Sequence, residues 1–250
     1  MTDKIVWITG ASSGIGRALA LEMARDGWRI AASARREDAL RKLVEEAPKG
    51  SVVPTPLDVT DREASQAAVA RIETEMGPVT CAVLAAGTHI PTKADAFNLD
   101  DLRSLVEINL MGVFHAIAAV LPGFKMRQAG HLVVVSSVAG YGGLPSAAGY
   151  GATKAALINF TEALKFDLDH WGVKTQLVCP GFVRTPLTDK NPFPMPFLME
   201  VDEAAKRLYA GMRDDGFEIT FPRRFTAMVK ATSRLPYAAY FPLIRKATGM

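Results

Sequence analysis

The chain has 250 residues, 49% of them hydrophobic and 22% charged, with 29 basic and 26 acidic side chains for a net charge of +3. That size and composition bury a sizeable core, which excludes a disordered chain and a disulfide-stapled miniprotein, and so small a charge gives no argument for nucleic acid as a partner. Cys81 and Cys179 each sit in an apolar run, VTCAVLAA and QLVCPGF, and read as buried small hydrophobes in a reducing, cytoplasmic setting rather than as a disulfide. The amino terminus enters a short apolar run with no leader pattern, and nowhere do 18 consecutive apolar residues occur. Neither secretion nor a membrane-spanning helix is expected.

Short apolar runs alternate with stretches of helical period. Strands are predicted near residues 4–9, 28–34, 51–57, 79–85, 131–136, 173–179 and 217–221, and helices near 14–26, 37–47, 61–75, 101–128, 150–170 and 201–213. This alternation defines an α/β fold: a Rossmann-type, doubly wound, parallel seven-stranded sheet with helices on both faces. No Gly/Ser or Pro-rich linker divides it, so residues 1–222 read as a single domain. Residues 223–250 follow as a basic, apolar extension.

After the first strand comes Thr9-Gly10-Ala11-Ser12-Ser13-Gly14-Ile15-Gly16, opening a helix. Glycine lets the backbone turn sharply and clears side chains from the path of a pyrophosphate, while amides at the helix N-terminus point toward it. A tight structural turn would also account for the glycines alone; their place between strand and helix favours a dinucleotide. The second strand ends Ala34-Arg35-Arg36, where an NAD site carries a carboxylate for the ribose hydroxyls. Guanidinium groups bind a 2′-phosphate that a carboxylate would repel, so NADP(H) is favoured over NAD(H), with Arg35 the stronger candidate. Arg36 could equally begin a solvated helix face. Asp58, at the end of the third strand, is placed to accept a bond from an adenine amino group, and Asp61 is the better helix cap.

The apolar strand Leu132-Val133-Val134-Val135 ends in Ser136-Ser137, and Tyr150 and Lys154 follow four residues apart. On a helix that spacing puts the ammonium beside the phenol. A nearby positive charge stabilises the phenolate and draws a tyrosine from its ordinary pKa near 10 toward working pH, as proton transfer requires. None of His89, His115, His131 and His170 shows metal-ligand spacing, and no metal is expected. His89, just past Gly87, reads as a surface residue.

In these residues the chain resembles the short-chain dehydrogenase/reductase family over nearly its whole length, to about Pro222. The matching parts are TGASSGIG at 9–16, Asp58, Asn109 in Glu107-Ile108-Asn109-Leu110, Ser137, Tyr150-Gly151-Ala152-Thr153-Lys154, and Pro180-Gly181-Phe182-Val183-Arg184-Thr185. The resemblance implies a catalytic tetrad. Tyr150 would be the acid/base, Lys154 would lower its pKa and hold the nicotinamide ribose, Ser137 would polarise the substrate carbonyl, and Asn109 would organise a water-linked proton relay. It also implies cofactor contacts at Gly10, Ser12, Ser13, Gly14, Ile15, Gly16, Arg35, Arg36, Asp58, Val59, Ala86, Gly87, Tyr150, Lys154, Pro180, Gly181, Val183 and Thr185. One departure stands out: the family's Asn-Asn-Ala-Gly after the fourth strand is Leu84-Ala85-Ala86-Gly87 here, so both amide side chains are missing.

Two regions break the alternating pattern. Thr185–Met199, with the Pro-rich stretch Asn191-Pro192-Phe193-Pro194-Met195-Pro196-Phe197, reads either as a lid over an apolar site or as a surface loop packed on the domain. The extension 223–250 holds Arg223, Arg224, Lys230, Arg234, Arg245 and Lys246 and no acid, so all of the net positive charge lies there. Interleaved apolar residues suit a surface-lying helix pair hinged at Pro236, in peripheral contact with an anionic membrane. Packing against a partner subunit or the substrate pocket is the other reading. Together these features predict an NADP(H)-dependent oxidoreductase interconverting a carbonyl and an alcohol on an apolar substrate, as a homodimer or homotetramer. A dinucleotide-binding redox sensor or scaffold protein without turnover is the alternative from another class.

Overall fold

Along the first strand, β1 (Ile5–Thr9), Val6 and Ile8 face one layer of helices while Ile5 and Trp7 face the other, and these residues have no solvent exposure. A strand buried on both faces is what a central parallel sheet requires. The computed structural model describes residues 4–189 and 195–249. It completes the sheet with β2 (Arg29–Ser33), β3 (Val52–Pro54), β4 (Cys81–Leu84), β5 (Gly130–Val135), β6 (Val173–Pro180) and β7 (Glu218–Phe221). All pairings are parallel, in the order β3-β2-β1-β4-β5-β6-β7. The expected doubly wound architecture is present in a single domain.

Helices α1 (Gly14–Arg25), α2 (Glu37–Glu46) and α3 (Arg62–Glu75) follow the first three strands. Asp61 caps α3 as expected, its carboxylate accepting from the Ala64 amide at 2.9 Å. Next come α4 (Leu99–Val106), α5 (Gly112–Arg127), α6 (Ala148–His170) and α7 (Val201–Arg213). Side chains of α1, α2 and α7 fill the core on one face of the sheet, and those of α3, α5 and α6 fill the other. Cys81 and Cys179 are free and buried in these layers.

The helix expected over 101–128 is not uniform. It starts earlier, where Asn98 accepts from the amides of Asp100 and Asp101 at 2.9 and 3.4 Å, and it widens into a π-helical turn at Glu107–Met111 between α4 and α5. Such single wide turns re-aim side chains and recur at functional sites; this one carries Asn109. The joined helix Leu99–Arg127 is also long and apolar enough to cross a membrane, with hydropathy 1.8 over its most apolar window, although no unbroken apolar run announces it. Leu105, Val113, Ile117, Val120 and Phe124 on it are buried within the domain, which explains its apolar character without a bilayer.

Residues 223–249 fold as the helix pair read from the sequence: α8 (Arg223–Thr232) and α9 (Tyr237–Thr248), with Pro236 immediately before α9. The stretch read as either a lid or a packed surface loop falls partly on residues 190–194, which lie outside the described residues. Beyond them Met199 is buried and tied to the Pro180–Thr185 stretch: its amide donates to Phe182 at 3.0 Å, and its carbonyl accepts from Arg184 at 2.8 Å.

Candidate active site

At the point where the sheet reverses its winding, between the carboxyl ends of β1 and β4, the structure opens a cleft of about 350 Å³. That is where open α/β sheets bind their ligands. The turn after β1 forms its floor and leaves no room for side chains. A Cβ on Gly10 would lie 2.8 Å from the Ala85 backbone, and one on Gly16 would lie 2.7 Å from the Gly10 carbonyl. Gly10 also holds φ +71°, which disfavours any other residue. This bare floor at the head of α1 fits a dinucleotide pyrophosphate.

Every residue that the sequence reading gives to the dinucleotide, from Gly10 to Thr185, lines this cleft. Thr185 faces the glycine turn, 3.2 Å from where a Cβ on Gly14 would stand. Arg36 sits just before α2 rather than in its solvated face, and its guanidinium turns back to donate to the Ser12 carbonyl at 3.3 Å. Arg35, largely exposed, stands 4.0 Å from the Asp58 carboxylate. Partial burial would raise Asp58, but bonds from the Thr60 amide (3.0 Å) and hydroxyl (2.8 Å), with the Arg35 charge, hold it below the usual carboxylate range. Beside the missing amide side chains at 84 and 85, the strand end is tied by a backbone bond, the Ala86 amide donating to the Thr9 hydroxyl at 3.3 Å.

Ser137 follows β5, and its Oγ accepts from the Ala139 amide at 3.1 Å. Tyr150 projects from the first turn of α6, with its hydroxyl toward that of Ser137. The phenol's pKa is raised, not drawn toward working pH as the Tyr150–Lys154 spacing predicts: burial raises it, the Ser137 hydroxyl opposes that rise, and the nearby Cys179 adds to it. One turn further on, the buried Lys154 ammonium stands 5.8 Å from the Tyr150 ring centre and donates to the Val135 carbonyl at 2.9 Å. Burial pushes Lys154 down to about 8. Burial likewise pushes the Cys179 thiol up to about 12, so it contributes no thiolate at neutral pH.

Asn109 does not line the cleft but lies wholly buried behind it. Its Oδ1 accepts from the Thr88 amide at 2.7 Å, and its Nδ2 donates to the Thr88 carbonyl at 2.9 Å and to the Thr153 hydroxyl at 3.2 Å. Gly87 fits between Asn109 and Lys154: a Cβ there would lie 3.3 Å from Asn109 Oδ1 and 3.6 Å from Lys154 Nζ. Ser137 from the end of β5 and Tyr150 and Lys154 from α6 therefore meet at one end of the cleft, with Asn109 of the wide turn behind them.

One feature escaped the sequence, and a second is left open by it. His89 is half-buried rather than a surface residue, with its ring edge-on to Tyr150 at 4.9 Å between centres and 78° between planes. Its position just past Gly87 was the one available signal. The helix pair α8–α9 also grips the wall that follows Ser137. Tyr240 donates to the Gly143 carbonyl at 2.6 Å, Tyr141 donates to Glu218 at 2.7 Å, and Lys230 pairs with the other Glu218 oxygen at 2.5 Å. Packing against the substrate pocket is one of the two sequence readings of 223–250, but no local pattern names these partners.

Among the described residues no three His, Cys, Asp or Glu side chains come together to hold a metal. The family model of the short chain dehydrogenases matches residues 4–193. An uncharacterized oxidoreductase of Myxococcus xanthus is 38% identical over 94% of both chains, and one of Staphylococcus aureus is 31% identical over 84% of this chain and 91% of its own. Among solved structures, a short-chain dehydrogenase from Streptomyces avermitilis superposes with a TM-score of 0.82 at 25% identity over 92% of both chains. ElxO, solved with NADP bound, superposes with a TM-score of 0.79 at 23% identity over 88% of this chain and 98% of its own. The protein belongs to the short-chain dehydrogenase/reductase family and is an oxidoreductase of that family with a dinucleotide-binding fold.

Proposed function

We propose that the protein uses NADP(H) to interconvert a carbonyl and an alcohol on an apolar substrate, with Asn109, Ser137, Tyr150 and Lys154 as its catalytic set. The observation that carries this reading is the half-buried Tyr150 phenol, facing the Ser137 hydroxyl with the Lys154 ammonium beside its ring, at the mouth of a dinucleotide cleft. When bound, the nicotinamide supplies the hydride exchanged with the substrate carbon. In reduction Tyr150 donates its proton to the carbonyl oxygen while the Ser137 hydroxyl polarises that oxygen. Lys154 stabilises the phenolate left behind, and Asn109 organises the route by which the proton is replaced. Burial keeps the phenol protonated at neutral pH, the form that reduction consumes.

Arg36, already bonded to the glycine turn, and Arg35 support NADP(H) over NAD(H), and Ala34 offers no carboxylate against a 2′-phosphate. ElxO, with the same fold, binds NADP. An aromatic run supports an apolar substrate: Phe182 and Phe197 lie 5.5 and 5.7 Å from Phe225, which packs on Gly181 at the cleft. The reading includes a cytoplasmic location and a homodimer or homotetramer built on α4, α5 and α6, where Val106 and Phe166 are exposed. Oxidation of NADPH by the purified protein, across ketones and aldehydes from short polar to long apolar, tests it. Turnover rising with chain length is expected; no turnover on any member would return the non-catalytic sensor.

The reading also gives α8–α9, as a distinct extension of the 1–222 domain, peripheral contact with an anionic membrane. Arg223, Arg224, Arg234, Arg245 and Lys246 are exposed beside exposed Met228, Leu235, Tyr237, Phe241 and Leu243. The full chain is expected to float with vesicles containing phosphatidylserine and not with neutral ones, and a variant with Arg234, Arg245 and Lys246 changed to Glu is expected to stay behind. Equal flotation of the two proteins, or none, would remove the membrane contact.

A further inference from the structure

The span from Thr88 to Thr92 is fastened at both ends by the elements that set Tyr150 in place. At one end Asn109 grips both backbone groups of Thr88, at 2.7 and 2.9 Å, and also bonds Thr153 on α6. At the other end the Thr92 amide donates to the Ser146 carbonyl at 2.8 Å, and Thr92 bridges to Ala147, the residue that opens α6. His89 lies between these two anchors, so its place over Tyr150 is dictated by backbone bonds rather than left to a free loop. Its ring meets the phenol edge-on, the arrangement in which the electropositive rim of one ring meets the electron-rich face of the other.

We propose that His89 is a positioning residue for Tyr150, its ring forming a wall that fixes the plane of the phenol so that the hydroxyl stays directed at Ser137 and at the substrate oxygen. This rests on the reading of Tyr150 as proton donor. The phenol then faces Ser137 with its hydroxyl and meets His89 with its ring, and neither contact alone fixes the ring's rotation. Near-attack geometry is lost with displacements of about 1 Å, which can cost up to about a hundredfold in rate. The role belongs to a flat ring edge and does not need the imidazole nitrogens.

The test compares steady-state NADPH oxidation by the full chain carrying His89→Ala, His89→Leu or His89→Phe. Alanine and leucine, which remove the flat edge, are expected to lower kcat about tenfold, with KM for ketone and for NADPH within about twofold of wild type. Phenylalanine is expected to restore kcat to within about threefold. NADPH fluorescence titration reports whether each variant still builds the cleft, and leucine keeps the comparison alive should alanine fold poorly. Wild-type kcat in both the alanine and leucine variants would overturn the proposal, and so would a loss that phenylalanine leaves unrepaired. Tyr150→Phe separates the two levels: if it turns over normally, the reading of Tyr150 fails, whereas an inactive Tyr150→Phe beside unaffected His89 variants sinks only the role of His89.

Discussion

Tyr150→Phe is expected to lower kcat for carbonyl reduction by about two to four orders of magnitude, the range that a positioned general acid contributes, with NADPH affinity changed by no more than about threefold. The substitution removes one oxygen. Phenylalanine keeps the ring against His89 and beside the Lys154 ammonium, and loses only the hydroxyl that faces Ser137. Cofactor binding, carried mainly by the glycine turn and the far end of the cleft, has little reason to change. Fluorescence titration with NADPH, paired with single-turnover rates, separates the two effects. Retention of more than about a tenth of the wild-type rate would show that another group delivers the proton.

The double variant Arg35→Ser, Arg36→Ser is expected to weaken NADPH binding by about ten- to a hundredfold while leaving NADH nearly unchanged. A charge-assisted bond is worth about 1.5–3 kcal/mol, but both guanidiniums are exposed and solvent screens them. The net loss is therefore about 1.4–2.8 kcal/mol for the pair, at 1.4 kcal/mol per decade. Arg36 should carry the larger share, because its bond to the Ser12 carbonyl already holds it at the glycine turn, whereas Arg35 stands near Asp58. The preference should also fall with added salt in the wild type. Parallel titrations with both nucleotides read all three effects, and equal weakening of NADH would show that the arginines support the turn rather than read the 2′-phosphate.

The parts of this molecule that a period or a spacing can encode were legible. Val6 and Ile8 against Ile5 and Trp7, the glycine turn, and Tyr150 one helical turn before Lys154 all express local geometry, and the seven strands and their helices followed from them. What escaped depends on contacts between distant segments. No residue in Glu107–Met111 marks the wide turn, whose purpose appears only when Asn109 reaches Thr88, 21 positions away. Arg36 is equally suited by sequence to a solvated helix face, and only the neighbouring turn shows where it points. His89 required two loops to close on each other through Asn109 and Ser146, which no periodicity foretells. The helix of Leu99–Arg127 is expected over 101–128, but its membrane-length apolar character is not, because Asn109 and His115 interrupt the apolar run without interrupting the helix.

The bond from Tyr240 to Gly143 joins positions 97 residues apart, and Lys230 and Glu218 reinforce it through Tyr141. During synthesis the nucleotide-binding half of the sheet can form long before α9 leaves the ribosome. The wall beside Ser137 has no such freedom, because the groups that hold it, Lys230 and Tyr240, are made later. A nascent chain would therefore acquire the means to hold a dinucleotide well before it could shape a pocket for the second reactant, and the two capacities would mature in that order.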